Sequence, residues 1–195
     1  MKNTPMTLLL TLSLTLSVAA SACAYQEGDL GADDGSLSET VPSTDQAQAQ
    51  LFGPSYLTLL NLANCYATGV DAIGVSDLDQ GRAVLENCLS SDVVVNIDFP
   101  GVGEFAFDNL VDFTTFVDQF FSGQGYVRTQ HQASNVVRGP FGYTMRSYIS
   151  ATHVLPDGSV DLNTVTYDDE LAWVDGGWKI TRRDIFIGSD VTLRP

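Results

Sequence analysis

The stretch RTQHQASNVVRGPFGYTMRSYISATH, from Arg128 to His153, holds two alternating polar and apolar runs on either side of Gly139-Pro140-Phe141-Gly142. Alternation with a period of two is typical of β-strands, and the glycines and proline between the runs favour a turn. We therefore predict two neighbouring strands. The alternation groups on one face of each strand the following residues: His131, Ala133 and Asn135 on the first, and Ser147, Ile149, Ala151 and His153 on the second.

His131 and His153 are the two histidines of the chain, and this placement could bring them into one pocket. Titratable side chains among small and apolar neighbours on a curved sheet would suit an enclosed acid-base site. The alternative is a pair of ordinary surface or core histidines whose hydrogen bonds are satisfied. Strand alternation by itself leaves both interpretations open.

The rest of the pattern predicts helices first and an antiparallel sheet last, which is an α+β layout. Apolar residues at helical spacing from Leu57 to Val70 indicate a first helix, with Asp71 extending its apolar stripe. Ser76 resembles the cap of a second helix, and Asp108 or Asn109 the cap of a third. The predicted strands cover residues 92–99, 128–138, 143–154, 160–174 and 178–187, with a short extended piece at 103–107.

Residues 1–22 have the features of a signal peptide: Lys2, an apolar run of about 15 residues that is too short to span a bilayer, and small residues up to Ala22. Export is therefore expected. Ala20-Ser21-Ala22-Cys23 resembles a bacterial lipobox, which would make Cys23 the lipidated N-terminus of an envelope lipoprotein. Ala24, where an aspartate is absent after the cysteine, resembles lipoproteins of Gram-negative bacteria that are sorted to the outer membrane. An ordinary cleavage site followed by an incidental cysteine is the alternative.

Residues 23–50 form a predicted disordered tether with six acids, no base and almost no apolar residue. Residues 51–195 form a single predicted domain. Of the 24 acidic and nine basic residues of the chain, this domain keeps 18 acids and eight bases, because six acids lie in the tether and Lys2 in the leader. Such an acidic balance argues against nucleic acid as a partner, since phosphate binding needs clustered Lys and Arg.

Cys65 and Cys88 lie in the exported domain, where disulfides form, and a bridge between two early helices is the favoured interpretation. Two buried thiols are the alternative. Two histidines without a nearby acidic or cysteine pair make a weak metal site, so we expect no metal. The pair Arg182-Arg183 is expected to bind acids on the adjacent strand, which are predicted to be solvated: Asp168, Asp169 and Glu170.

From about residue 52 to 190, the chain resembles the SnoaL-like branch of the nuclear-transport-factor-2-like superfamily. The resemblance rests on Tyr66-Ala-Thr-Gly-Val-Asp71, Asp92-Val-Val-Val, Thr129-Gln-His131 with Asn135, and the run from Tyr167 to Lys179. It implies a cone: a curved antiparallel sheet wrapped by three helices around a deep apolar pocket. Members include scytalone dehydratase, bile-acid dehydratases, steroid isomerases, polyketide cyclases and non-catalytic subunits, so the fold does not decide the function.

The resemblance also implies site residues. Asp71, Tyr66, His131 and His153 match catalytic positions of the dehydratases. Tyr167 stands where scytalone dehydratase has an asparagine and is assigned to substrate binding. Asn135 shares the predicted face of His131 and is assigned to substrate binding. Tyr148 is assigned there too, although its strand parity is opposite to that of His153, so it reaches the pocket only if a bulge intervenes.

Three functions remain in view. An aspartate that accepts from a histidine raises its basicity, and such a dyad could remove a proton beside a carbonyl without any cofactor. The first hypothesis is therefore a cofactor-independent dehydratase or isomerase acting on a small hydrophobic cyclic molecule of polyketide or steroid type. The second is a non-catalytic ligand-binding module on the cell envelope. In the third, the open sheet face with Trp173 forms a homodimer.

Overall fold

The structure, a computed structural model, describes residues 53–195. The predicted signal peptide and the whole predicted tether, including Cys23, lie outside the described residues. In chain order the elements are α1 (Tyr56–Gly74), α2 (Leu78–Leu85), β1 (Leu89–Phe99), β2 (Gly103–Phe107), α3 (Leu110–Gln124), β3 (Arg128–Arg138), β4 (Thr144–Val154), β5 (Val160–Val174) and β6 (Gly177–Leu193). The predicted α+β class is confirmed.

One six-stranded sheet carries all the strands, in the order β2-β1-β6-β5-β4-β3. Every neighbouring pair is antiparallel except β1 and β6, which run parallel. The last strand therefore inserts beside the first, and the long β3 to β6 meander becomes continuous with the β1-β2 hairpin. Helix α1 packs against α2 and β3, and helix α3 packs against β1. The core lies between these helices and the inner face of the sheet.

Side chains cap the start of each helix. Ser55 accepts from the backbone N–H of Thr58, Asp77 from that of Gln80, and Asn109 from that of Asp112. The cap of α2 is therefore Asp77 and not Ser76 as predicted. Ser76 instead adopts a positive φ of 68° in the turn between the first two helices.

Two close contacts connect α1 to the elements that come next in the chain. The structure joins Cys65 of α1 to Cys88 through a disulfide, and Cys88 lies in the turn between α2 and β1 and not in a helix as predicted. Helix α2 also crosses α1 at a glycine: a Cβ placed on Gly81 would lie 2.7 Å from the backbone oxygen of Gly69 and would collide with Ile73. A side chain at Gly81 would push the two helices apart.

Trp173 and Trp178 pair across β5 and β6 near the turn that joins these strands. Trp178 is buried, as expected for a core residue, and Trp173 stands edge-on to it with ring centroids 5.9 Å apart. Trp173 is thus half-buried against its neighbour instead of standing free on an open face. The homodimer stays a prediction.

Among residues 53–195, no helix has the length and apolar character needed to cross a bilayer.

Candidate active site

A cavity of about 270 Å³ lies between helix α3 and the inner face of the sheet. Its wall is mostly aromatic, with side chains contributed by α1, β1, α3 and the meander. The aromatic lining residues are Tyr66, Phe99, Phe113, Phe116, Phe120, Phe121, Tyr126 and Tyr167. Polar groups reach it at a few positions: His131, His153, Asn163, Ser189 and Asp190. This combination of apolar walls and a few polar groups is typical of a small-molecule site.

Asp71 and His131 form a dyad at one side of this cavity. Asp71 lies in the last turns of α1, four residues after the buried Ala67, so the helix directs it toward β3. Its Oδ1 lies 2.7 Å from His131 Nδ1, and its Oδ2 accepts the backbone N–H of His131 at 3.1 Å. Thr129 adds a longer hydrogen bond of 3.4 Å to Oδ1. The aspartate therefore holds both the ring and the backbone of His131.

The two residues of the dyad differ in their surroundings: Asp71 is partly exposed to solvent, and His131 faces the cavity. The Asp71 side chain is 27% exposed, whereas that of His131 is 7% exposed and lines the cavity. When Nδ1 of neutral His131 donates to Asp71, the lone pair resides on Nε2. A molecule in the cavity would therefore contact Nε2 of an imidazole whose tautomer is fixed by Asp71. This is the arrangement that a general base requires.

His153 faces His131 across the cavity wall, with ring centroids 5.3 Å apart. It is 5% exposed and stacks on Tyr126 at 4.6 Å, with Phe121 at 5.3 Å. Burial, with the nearby His131 adding to it, lowers the pKa of His153 to about 4. His153 is therefore neutral near pH 7. Its Nδ1 is buried and has no hydrogen-bond partner among the described residues.

Tyr126 and Asp161 extend this wall and were not anticipated from the sequence. The Tyr126 hydroxyl donates to Asp161 Oδ2 at 3.0 Å, and Thr192 donates to Oδ1 at 2.7 Å. Burial and the hydrogen bond to Asp161 raise the pKa of Tyr126. The register of β4 with β5 pairs Asp161 with His153, and Tyr126 stacks on His153. Asp161 therefore lies next to Tyr126. The hairpin at residues 155–159 was the sequence signal from which this strand pairing, and hence the position of Asp161, could have been inferred.

Tyr66 and Tyr167 line the far end of the cavity and are both buried. Their rings meet edge to face at 5.1 Å. Burial raises the pKa of each hydroxyl, while the positive charge of Arg183 acts in the opposite direction. Both hydroxyls are therefore protonated at neutral pH, and a side-chain hydrogen bond links them to each other.

Arg183 lies behind these tyrosines, although the acids with which it is expected to pair are predicted to be solvated. Asp169 is its partner, as was expected of that strand, but the side chains of both residues are fully buried. Burial raises the pKa of the Asp169 carboxyl against the opposing effect of Arg183. The other two acids of the predicted solvated stretch, Asp168 and Glu170, do face solvent, and Asp168 pairs there with Arg146.

Two residues assigned to substrate binding lie elsewhere. The pairing of β3 with β4 shifts between Ser134 and Val137, and Asn135 takes a left-handed φ of 48° at this bulge. The shift turns Asn135 outward, and the residue is exposed. Tyr148 is 43% exposed on the outer face, because β4 pairs with β5 in an uninterrupted register and no bulge reverses its direction. Both assignments were wrong.

The site contains few groups that would hold a metal or an anion. Within the described part of the chain, no group of three or more His, Cys, Asp or Glu side chains could hold a metal ion. Among the described lining residues, no Lys or Arg reaches the cavity, and Asp190 is the carboxylate that does. A ligand without a negatively charged group suits such a wall.

Comparison with known families agrees with this geometry. Residues 55–184 match the SnoaL-like domain. The chain belongs to the SnoaL-like domain family. The match spans the first capped helix through the β6 segment that carries Arg183, so it includes the dyad, both buried tyrosines and most of the cavity wall of this SnoaL-like domain.

Solved structures share the fold. A candidate aromatic ring hydroxylase of Novosphingobium aromaticivorans is 24% identical, with a TM-score of 0.55, over 70% of this chain and 92% of that protein. A candidate scytalone dehydratase of the same species is 17% identical, with a TM-score of 0.54, over 71% and 87%. A hexachlorocyclohexane dehydrochlorinase of Novosphingobium barchaimii is 15% identical, with a TM-score of 0.52, over 70% and 88%. No curated protein matched the chain significantly.

Proposed function

We propose that this SnoaL-like domain is a cofactor-independent lyase that removes a proton from a small cyclic molecule and expels water from the neighbouring carbon. The observation that carries the proposal is the 2.7 Å contact between Asp71 and His131 at the wall of an aromatic cavity. Two of the solved structures with this fold are described as a scytalone dehydratase and a dehydrochlorinase, and both names denote eliminations.

The steps need only groups that the chain supplies. His131 Nε2 takes the proton from the ring carbon, and the C–H electron pair becomes the new C=C bond as the C–O bond of the departing hydroxyl breaks. The imidazolium is stabilised by the carboxylate of Asp71 at its other nitrogen. The proton can then pass from Nε2 to the departing hydroxide, which leaves as water and restores the base. If no leaving group is present, return of the proton to another carbon gives isomerisation.

The residues that line the cavity determine the size, shape and charge of the ligand that it can bind. Five phenylalanines and three tyrosines offer ring faces to a flat ligand, and the volume of about 270 Å³ lies at the lower edge of the range for small-molecule pockets. His153 is neutral, so it adds no positive charge that would hold a carboxylate. The proposed substrate is therefore a small uncharged ring compound.

We also propose that the domain works outside the cytoplasm, held at the envelope by a lipid on Cys23. The apolar leader and the lipobox-like Ala20-Ser21-Ala22-Cys23 support export, and a disulfide between Cys65 and Cys88 suits an oxidising compartment. Replacing Cys23 with alanine should release the protein from membranes. Unchanged membrane partitioning of that variant would contradict the lipid anchor.

Proton abstraction can be tested before the substrate is identified. The probe is 2-tetralone, a neutral bicyclic ketone with acidic C–H bonds, incubated with the protein in D₂O and followed by NMR for deuterium uptake. Exchange above the buffer rate is expected with the native chain and should be lost in His131→Asn. Gln132→Asn serves as the control, because Gln132 is the exposed neighbour on the opposite face of β3.

Full exchange by the His131 variant would refute the assigned base. Saturable binding of 2-tetralone without exchange in the native chain would favour the alternative, a non-catalytic binding module.

A further inference from the structure

Arg183 is a buried cation for which the proposed proton transfer has no role. Its side chain and that of Asp169 are each 0% exposed. Nε and Nη2 donate to the two carboxylate oxygens of Asp169 at 2.6 and 2.8 Å, in a bidentate pair. Nη1 is buried too, and it has no hydrogen-bond partner within the described residues.

Stability alone does not explain this arrangement. Removing two charges from water is expensive, and replacing a buried ion pair with well-packed apolar residues is often neutral or stabilising. An unpaired buried N–H adds a further cost. The pair is therefore better explained by what it does for its neighbours than by what it adds to the free energy of unfolding.

The neighbours of Arg183 are the two tyrosines at the end of the cavity. Its guanidinium carbon lies 3.8 Å from the centre of the Tyr66 ring and 4.3 Å from that of Tyr167. Both tyrosines line the cavity, and Arg183 does not. The guanidinium thus fixes the two rings by stacking and places a positive charge directly behind them.

We propose that Arg183 is a positioning residue that, through Tyr66 and Tyr167, makes this end of the cavity a site for an oxygen atom carrying negative charge. The guanidinium holds the tyrosine rings in place and increases the donor strength of their hydroxyls. Asp169 holds the guanidinium in turn and limits its field, so that the site favours a developing oxyanion over a bulk anion.

This inference rests on the proposed function and names its substrate class: cyclic ketones that enolise. When His131 takes the proton next to the carbonyl, the C–H electron pair forms a C=C bond and the C=O π electrons move onto oxygen. The enolate oxygen then accepts a hydrogen bond from a tyrosine hydroxyl, and no proton needs to be transferred at that end. The base and the oxyanion site would hold opposite sides of one ring.

The probe is 4-nitrophenol, whose phenol and phenolate forms absorb at different wavelengths, so that its affinity for the protein can be measured for each form. The reference ligand is 4-nitroanisole, which has the same ring and no ionisable hydroxyl. The main variant is the double substitution Arg183→Gln with Asp169→Asn. It removes both charges together, so no unpaired buried charge remains. Tyr66→Phe keeps the ring under the guanidinium and removes the hydroxyl through which Arg183 would act.

The double variant should lower the ratio of phenolate to phenol affinity about tenfold, because it removes the guanidinium charge that favours the ionised oxygen over the neutral hydroxyl. Its affinity for 4-nitroanisole should stay unchanged, whereas a merely structural role would change both. Tyr66→Phe should cause a smaller loss in the double variant than in the native chain, because the Tyr66 hydroxyl and the guanidinium act together.

An unchanged ratio in a folded double variant would overturn the role of Arg183 and leave the proposed proton transfer intact. If the double variant does not fold, the decision falls to a variant that combines Tyr66→Phe with Tyr167→Phe and so removes both hydroxyls, and an unchanged ratio there overturns the inference as well. Failure of the native chain to bind both 4-nitrophenol and 4-nitroanisole would contradict the cavity itself, and with it the proposed function.

Discussion

The substitution Asp71→Asn tests the proposed dyad most directly. Asp71 Oδ1 lies 2.7 Å from His131 Nδ1 in a partly buried contact, so the carboxylate stabilises the imidazolium that forms when the base takes a proton. Hydrogen bonds to charged groups contribute about 1.5–3 kcal/mol, which corresponds to roughly a 10- to 100-fold rate change. We expect the deuterium exchange of 2-tetralone to slow by about that factor.

The measurement pairs the exchange rate with ¹⁵N NMR of the His131 ring. The native chain should show the proton on Nδ1, and Asp71→Asn should show a mixture of tautomers, because an amide can either accept or donate. The control is Asp175→Asn, the same chemical change in the β5-β6 turn, where Asp175 has a φ of 50° that asparagine tolerates well. An unaltered exchange rate and tautomer in Asp71→Asn would refute the dyad, as would an equal slowing in Asp175→Asn.

Three further predictions concern stability. The pKa of His153 is about 4 in the folded chain, below its ordinary value of 6.5, so the unfolded chain binds the proton first and stability falls as the pH drops from about 6.5 to 4, by up to roughly 3 kcal/mol. Urea unfolding of His153→Phe at pH 7 and pH 4 should lack this part of the loss, and an equal loss in both proteins would contradict the buried neutral histidine. The Cys65–Cys88 disulfide spans 23 residues, and replacing both cysteines with serine should lower the free energy of unfolding by about 3 kcal/mol; an unshifted urea midpoint would argue against the bridge. Gly81→Ala should lower the melting temperature because its Cβ would meet α1, whereas Gly123→Ala in α3, where a Cβ meets nothing within 4 Å, should stabilise by up to about 1 kcal/mol; a stable Gly81→Ala would show that the two helices are less tightly packed.

The arrangement of helices and strands could be predicted because it depends on local signals. The capping side chain of Asn109, the turn residues at 156–159 and the alternation in β4 each act over a few residues, and the structure has its elements close to the expected places. The parallel pairing of β1 with β6 could not be predicted from local patterns. It joins strands about 90 residues apart, and nothing in either strand's own alternation specifies its neighbour.

The residues of the candidate site could likewise be predicted from the sequence only in part. Asp71 continues the apolar stripe of α1, and His131 alternates with exposed neighbours on β3, so each was placed on an inward face from its own element, while the role of Asp71 came from the family resemblance. Asn135 was assigned wrongly because strand parity holds only while the register is regular, and one inserted residue at the bulge reverses it. Tyr148 was assigned against its own parity, and the regular register of β4 and β5 leaves it outside.

The sequence by itself determined the α+β class, the order of the elements and the family resemblance, because periodicity, caps and turns are encoded by neighbouring residues. Only the tertiary structure decided which polar side chains meet. It placed Arg183 and Asp169 in the interior behind Tyr66, although Asp169 belongs to a stretch of acids that is predicted to be solvated. A buried charge becomes tolerable only when a partner arrives from another strand, and that partner's position depends on sheet register instead of local sequence.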